Sequence, residues 1–334
     1  MDCAGNLAGV EQLMMLRQLT VGYTSYRQET LAWVRKKMED SDCVVLEEPV
    51  TPGFEEMLRQ KMDIRDYLML TDFGFPGFAR EQCRLLQELH SQGIAVFQVE
   101  PFLDELVGIH EFFASGGSPD DIPAGTKSRL VYDCERIWTS RLVSFYRQAH
   151  SSDFYRVIKA VQDFARADAR KGIMRDKMRA QALESLFGQY RKMYVEAGYI
   201  HFTLAAQIRK RIPLSAGLKA FYSLEDFFRP RTGRRQLMGP GDVLTMIYTW
   251  KPEYTGPRAD LLAARSLIYN KVVEKEELTG EPGSFPQSSD EIRAVQIAGS
   301  LDLEQCAHLY PQIRSLSTGT ALEAVHDYLL RTRQ

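Results

Sequence analysis

Two short apolar runs close on the same Glu-Pro pair: VVLEEP at 44–49 and AVFQVEP at 95–101. Each follows text in which apolar residues recur at helical spacing. Leu31, Val34 and Met38 do so within residues 28–39, and REQCRLLQELHSQ at 80–92 is amphipathic and stopped by Gly93. A strand-like run, LRQLTVGYT at 16–24, precedes them, and another, within KMYVEAG, comes later. Parallel strands need a long crossover between them, usually a helix, so strand, helix, strand, helix, strand predicts an α/β fold. The expected sheet is largely parallel or mixed, with covering helices. The two Glu-Pro segments also echo one another, which places Glu48 and Glu100 at equivalent strand ends; any two βα units share such a likeness.

Beyond residue 123 the text turns helical and charged, with few breakers before about 190, and reads as a helical insertion. Residues 192–212 return to strand then helix. RPRTGRRQLMGPGD at 229–242 reads as a turn-rich loop and VLTMIYTW at 243–250 as a further strand. LLAARSLIYNKVVEKEEL at 261–278 reads as helix and TGEPGSFPQSSD at 279–290 as a linker, before two or three short helices. The expected organisation is an α/β domain over 1–270, with the insertion at about 123–190, and a linker and C-terminal helical appendage over 271–334.

Hydrophobic residues make up 44% of 334, enough for a core that needs neither metal nor disulfide. Forty-two basic against 44 acidic side chains leave a net charge of -2, so no global field favours nucleic acid or an anionic membrane. The five cysteines contain no Cys-x-x-Cys pair, which fits a reducing compartment and no zinc ribbon. No stretch approaches the roughly 18 uncharged apolar residues of a membrane span, and the first residues do not read as a leader. The expectation is a cytoplasmic protein whose partner is a small-molecule ligand or another protein.

Carboxylates at the ends of parallel strands lie where α/β sheets bind ligands. Glu47 and Glu48 are adjacent, and successive strand residues point to opposite faces, so only one enters a site while the pleat persists. Glu100 and Arg175 are further candidates, Arg175 as the partner of a carboxylate. His201, at the end of an apolar run, carries an imidazole suited to proton transfer or metal ligation. Ser25 has no Gly-x-Ser-x-Gly surround, so capping of the following helix by Thr24 or Ser25 competes with any nucleophilic role. Tyr23 and Tyr26 flank it, without local support for haem ligation. Arg229, Arg231, Arg234 and Arg235 read chiefly as a solvated basic loop.

TVGYTSY (20–26), VVLEEP (44–49), GIMRDKMRAQAL (172–183) and YVEAGYIH (194–201) stand in the order of the motif blocks of the TraB/Tiki family, within the erythromycin esterase/ChaN-like superfamily. The chain resembles that group over roughly its first 250 residues. The resemblance aligns Glu47 with the family glutamate, Arg175 and Asp176 with its arginine-aspartate pair, and Gly198 and His201 with its second Gly-x-x-His motif. Met178 follows the pair, with Arg179 standing before Ala180. The first Gly-x-x-His motif is lost: Ser25 stands where a histidine belongs. The resemblance implies a divergent hydrolase for a small polar or anionic substrate. His201 would be base or metal ligand, Glu47 would position water or metal, and Arg175 would steady negative charge, with Glu48, Glu100, Ser25 and Tyr23 lining the substrate. Without the first histidine, no cofactor and no tightly bound divalent metal are expected. The competing expectation is a non-catalytic ligand-binding or assembly protein that has lost the ancestral site.

Overall fold

The computed structural model describes residues 17–70, 74–281 and 283–332. Leu16, Cys3 and the N-terminal segment lie outside them. The described residues group into two compact units, one holding Gly172–Gln236 and the chain up to Val131, the other Tyr132–Lys171 and Leu237–Gln334.

The first unit carries five strands: β1 (Gln18–Thr24), β2 (Cys43–Leu46), β3 (Ala95–Gln98), β4 (Lys192–Gly198) and β5 (Gly217–Tyr222). They form one parallel sheet in the order β3-β2-β4-β1-β5. The three runs expected to share a sheet do so, with Val44 in register with Val96 on one side and Tyr194 on the other. A parallel strand covered on both faces reads as continuous apolar text, and all four residues of β2 are buried.

One face carries Val21, Val45, Val195 and Ala197 against Leu204 and Ile208 of α8 (Leu204–Arg209) and Leu183 and Phe187 near the end of α7 (Phe154–Phe187). The other face sets Val44, Leu46 and Tyr194 against Val34 and Met38 of α1 (Gln28–Glu39) and Leu85, Leu86 and Leu89 of α4 (Pro76–Ser91). Gly22 is required by this second layer. A Cβ there would lie 2.1 Å from the Tyr194 hydroxyl, so only glycine lets the Tyr194 ring lie across β1.

Between these elements lie α2 (Phe54–Leu58), α3 (Ile64–Met69), α5 (Pro101–Ala114) and α6 (Lys127–Gln148). The expected helical insertion is real, as α6 and α7. The remaining helices are α9 (Glu225–Thr232), α10 (Pro240–Trp250), α11 (Pro257–Val272), α12 (Pro286–Ser300), α13 (Leu303–Ile313) and α14 (Thr318–Thr332).

Three expectations are corrected. VLTMIYTW is helix α10, not a strand: Pro240 stands in its first turn and Asp242 accepts the Gly239 amide at 2.9 Å, a helix start that overrides the β-branched text. Residues 217–222, to which no element is assigned above, form edge strand β5. The boundary near 270 does not follow the compact units. Leu244 and Tyr248 of α10 and Ala263, Leu267 and Ile268 of α11 share one core with Ala294, Leu309, Ile313 and Val325 of the C-terminal helices. The expected linker also ends early, because Pro286 begins α12. Among the described residues, no helix is long and apolar enough to cross a membrane.

Candidate active site at the carboxyl ends of β2 and β4

The strand order places a topological switch between β2 and β4. The chain leaves β2 for β3 on one side and β4 for β5 on the other, so the two loops diverge above the sheet and leave a crevice. Glu47 follows β2 directly, and Gly198-Tyr199-Ile200-His201 follows β4.

Glu47 is the hub. Its Oε1 accepts from Arg175 Nη2 at 2.9 Å and meets His201 Nε2 at 2.5 Å. Its Oε2 accepts from the Tyr26 hydroxyl at 2.7 Å and from the Gly198 amide at 2.6 Å. The other imidazole nitrogen, Nδ1, lies 2.5 Å from Asp176 Oδ1. Asp176 is fixed in turn by the Thr203 amide at 2.9 Å and the Thr203 hydroxyl at 2.6 Å. Arg175 also donates through Nε to Glu100 at 3.1 Å. One turn further along α7, Arg179 is fully buried, donates Nε to the Val99 carbonyl at 2.9 Å, and holds Nη1 3.7 Å from Glu47.

Three carboxylates, Glu47, Glu100 and Asp176, therefore face two guanidiniums and one imidazole. Burial alone would lower the His201 pKa; the Glu47 charge and hydrogen bonds from Asp176 and Glu47 outweigh it and hold the ring at about 9. The protonated ring then donates to both carboxylates at neutral pH. Burial opposes ionisation of Glu47, but His201, Arg179 and Arg175 keep it well below the usual carboxylate range. Arg175 loses to burial and gains more from Glu100 and Glu47, ending above its ordinary value.

Beneath this cluster Glu196 is 1% exposed. Gln82 donates to its Oε1 at 3.0 Å, while Oε2 has no hydrogen-bond partner among the described residues. Burial first, then the charges of Glu48 and Glu47, push its pKa up to about 8, so it is a neutral acid at pH 7.

Glu47, Arg175, His201 and Glu100 thus meet in one cluster. The choice between Glu47 and Glu48 resolves to Glu47. Glu48 turns instead to Gln98, which donates to it at 2.8 Å, and burial raises its pKa. Tyr23 stacks on Tyr222, centroids 5.2 Å apart, within the apolar layer. Ser25 is half-buried and makes no hydrogen bond among the described residues. It does not cap the helix either: Arg27 holds the N-cap position of α1. The neighbouring Tyr26 supplies the contact to Glu47, and its φ of 36° lies in the left-handed region that side chains with a Cβ rarely adopt. The basic stretch is not all loop: Arg229 and Arg231 lie in the last turn of α9, Arg231 stacks over the Phe227 ring, and Arg229 and Arg235 both pair with Glu225.

The donor set does not fit a divalent cation. Both Glu47 oxygens and both His201 nitrogens are occupied by protein partners, and two guanidiniums stand where a cation would be repelled. Among the described residues, no group of three or more His, Cys, Asp or Glu is arranged to hold a metal ion.

A protein from Archaeoglobus fulgidus described only as uncharacterized is similar to this chain, 29% identical over 296 residues that span 87% of this chain and 97% of the relative. No family profile matches the chain. No solved structure matches it.

Proposed function

We propose that the chain is a divergent member of the TraB/Tiki family, within the erythromycin esterase/ChaN-like superfamily, and hydrolyses a small polar or anionic substrate by acid–base chemistry. The observation that carries this reading is His201 clamped between Asp176 and Glu47, 2.5 Å from each, in the crevice between β2 and β4. Because the ring is protonated at neutral pH, its role shifts from base to acid. Substrate must displace the His201 Nε2–Glu47 Oε1 hydrogen bond; Nε2 then gives its proton to the leaving group, and the freed Glu47 Oε1 accepts the proton of the attacking water. Asp176 keeps the ring oriented and Arg175 steadies the developing negative charge.

The test is a hydrolase substrate panel run on the wild-type chain, Glu47→Gln and His201→Asn, with and without chelator. The expected result is turnover that survives chelator and falls by about 100-fold or more in each variant. Activity lost on chelation, or variants that turn over normally, would overturn the assignment.

A second reading is favoured by one observation: every hydrogen-bonding position of Glu47 is already filled and His201 is only 2% exposed. On that reading the cluster is a structural keystone of a non-catalytic ligand-binding or assembly protein. It predicts no turnover on any substrate and variants that change stability alone.

A further inference from the structure

Away from the carboxylate–guanidinium cluster, α3 and α4 border a cleft of about 1040 Å³. None of the cluster residues lines it. Lys61 precedes α3, Arg65 stands in its first turn, and Arg80 and Arg84 lie on α4. Asp63 is the carboxylate among the lining side chains, and it is committed to capping α3, accepting the Arg65 amide at 2.7 Å. Arg84 pairs with Glu81, but Lys61, Arg65 and Arg80 have no ion-pair partner among the described residues.

Two features make this unlike an ordinary solvated face. The chain as a whole is balanced at a net charge of -2, so a cleft lined by four cations, three of them without an ion-pair partner among the described residues, is a local departure. Arg80 and Arg84 are also spaced i, i+4 on one helix, where like charges repel, and the Glu81 carboxylate offsets Arg84 alone, while Lys61 and Arg65 line the same cleft. An arrangement that costs stability in the free protein is relieved by a multiply charged anion. Guanidiniums in particular offer paired N–H donors that match phosphoryl oxygens. A carboxylate would neutralise a single charge here, whereas a phosphoryl group carries close to two at neutral pH. Ile64, Leu68 and the largely exposed Met69 give the same cleft an apolar floor, and its size suits a compact ligand.

We propose that the cleft between α3 and α4 binds a small phosphorylated molecule. Its phosphoryl oxygens lie among Lys61, Arg65, Arg80 and Arg84, and its less polar body rests on Ile64, Leu68 and Met69. This site stands independently of the hydrolase reading, since it shares no residue with the cluster.

The test is calorimetric titration of the full chain with inorganic pyrophosphate and with adenosine diphosphate at constant ionic strength, paired with thermal unfolding. The wild-type chain is expected to bind both saturably, the nucleotide more tightly because it also covers the apolar floor. Arg80→Glu/Arg84→Glu should weaken both by at least tenfold; these side chains are exposed and Arg84 makes a single surface pair, so the variant's melting temperature without ligand should change little. Lys61→Ala/Arg65→Ala should weaken binding in the same direction. Absence of saturable binding by either probe at physiological salt would overturn the proposal, as would affinities untouched by both double variants. Nucleotide binding no tighter than pyrophosphate would overturn the assignment of the floor. A short single-stranded oligonucleotide that binds more tightly than the nucleotide would replace the small molecule with a nucleic acid.

Discussion

Glu196→Gln should stabilise this protein, although it replaces a buried side chain at the centre of the sheet. Glu196 is 1% exposed, bonded by Gln82 and close to the charges of Glu47 and Glu48, and its pKa stands at about 8 against an ordinary 4.5. A carboxyl raised in the folded state takes up a proton on folding at any pH between those values. Its contribution is therefore fully present below pH 4.5 and is lost as pH rises through 8, at about 1.4 kcal/mol per pH unit. Gln is the uncharged isostere of the acid, keeps an oxygen for Gln82, and has no proton to take up. The variant should thus gain about 3 kcal/mol over the wild type at pH 7, and about 5 kcal/mol above pH 8. Urea unfolding at pH 5, 7 and 9 measures this. A variant equal to or weaker than the wild type at all three, or a difference that does not grow with pH, would refute the reasoning.

Further outcomes follow from the same contacts. His201, raised from 6.5 to about 9, contributes stability that is full below pH 6.5 and lost as pH rises through 9. The wild type should lose about 3 kcal/mol more than His201→Asn across that window in urea unfolding. Arg175→Met leaves Glu47 and Glu100 without their shared guanidinium and should cost about 3–5 kcal/mol at pH 7, read by the same assay. Gly22→Ala drives a methyl into the Tyr194 hydroxyl and should cost about 1–3 kcal/mol or more, seen as a lowered melting temperature.

The parts of the fold that were legible in the text are those whose burial leaves a periodic record. Leu31, Val34 and Met38 marked α1 to its observed ends, and the unbroken Cys43–Leu46 run marked a strand covered on both faces. Strand β5 escaped because it is an edge with Lys219 and Ala220 exposed, so its text does not alternate. Residues 243–250 misled because β-branched and aromatic residues serve a buried helix face as well as a strand. The deciding signal lay upstream, in Gly239-Pro240-Gly241-Asp242. In the site, ordered motifs singled out Glu47, Arg175 and His201, but not the partners that set their protonation. Asp176 belongs to the aligned arginine-aspartate pair but carries no role there, and Arg179 reads as a further charge on a charged helix. Asp176 meets a histidine 25 residues later, and Arg179 a carbonyl 80 residues earlier. Tyr26 carries no motif of its own, and it is the left-handed turn there, φ 36°, that accompanies its hydroxyl's contact with Glu47.

The central claim is that His201 is a charged acid held between two carboxylates, not a neutral base, and its imidazole titration tests this most directly. Nitrogen-15 NMR of the selectively labelled wild-type chain should show both ring nitrogens protonated at pH 7, with a midpoint near 9 that drops in Glu47→Gln. A midpoint at or below 6.5, or one indifferent to the loss of Glu47, would contradict the account.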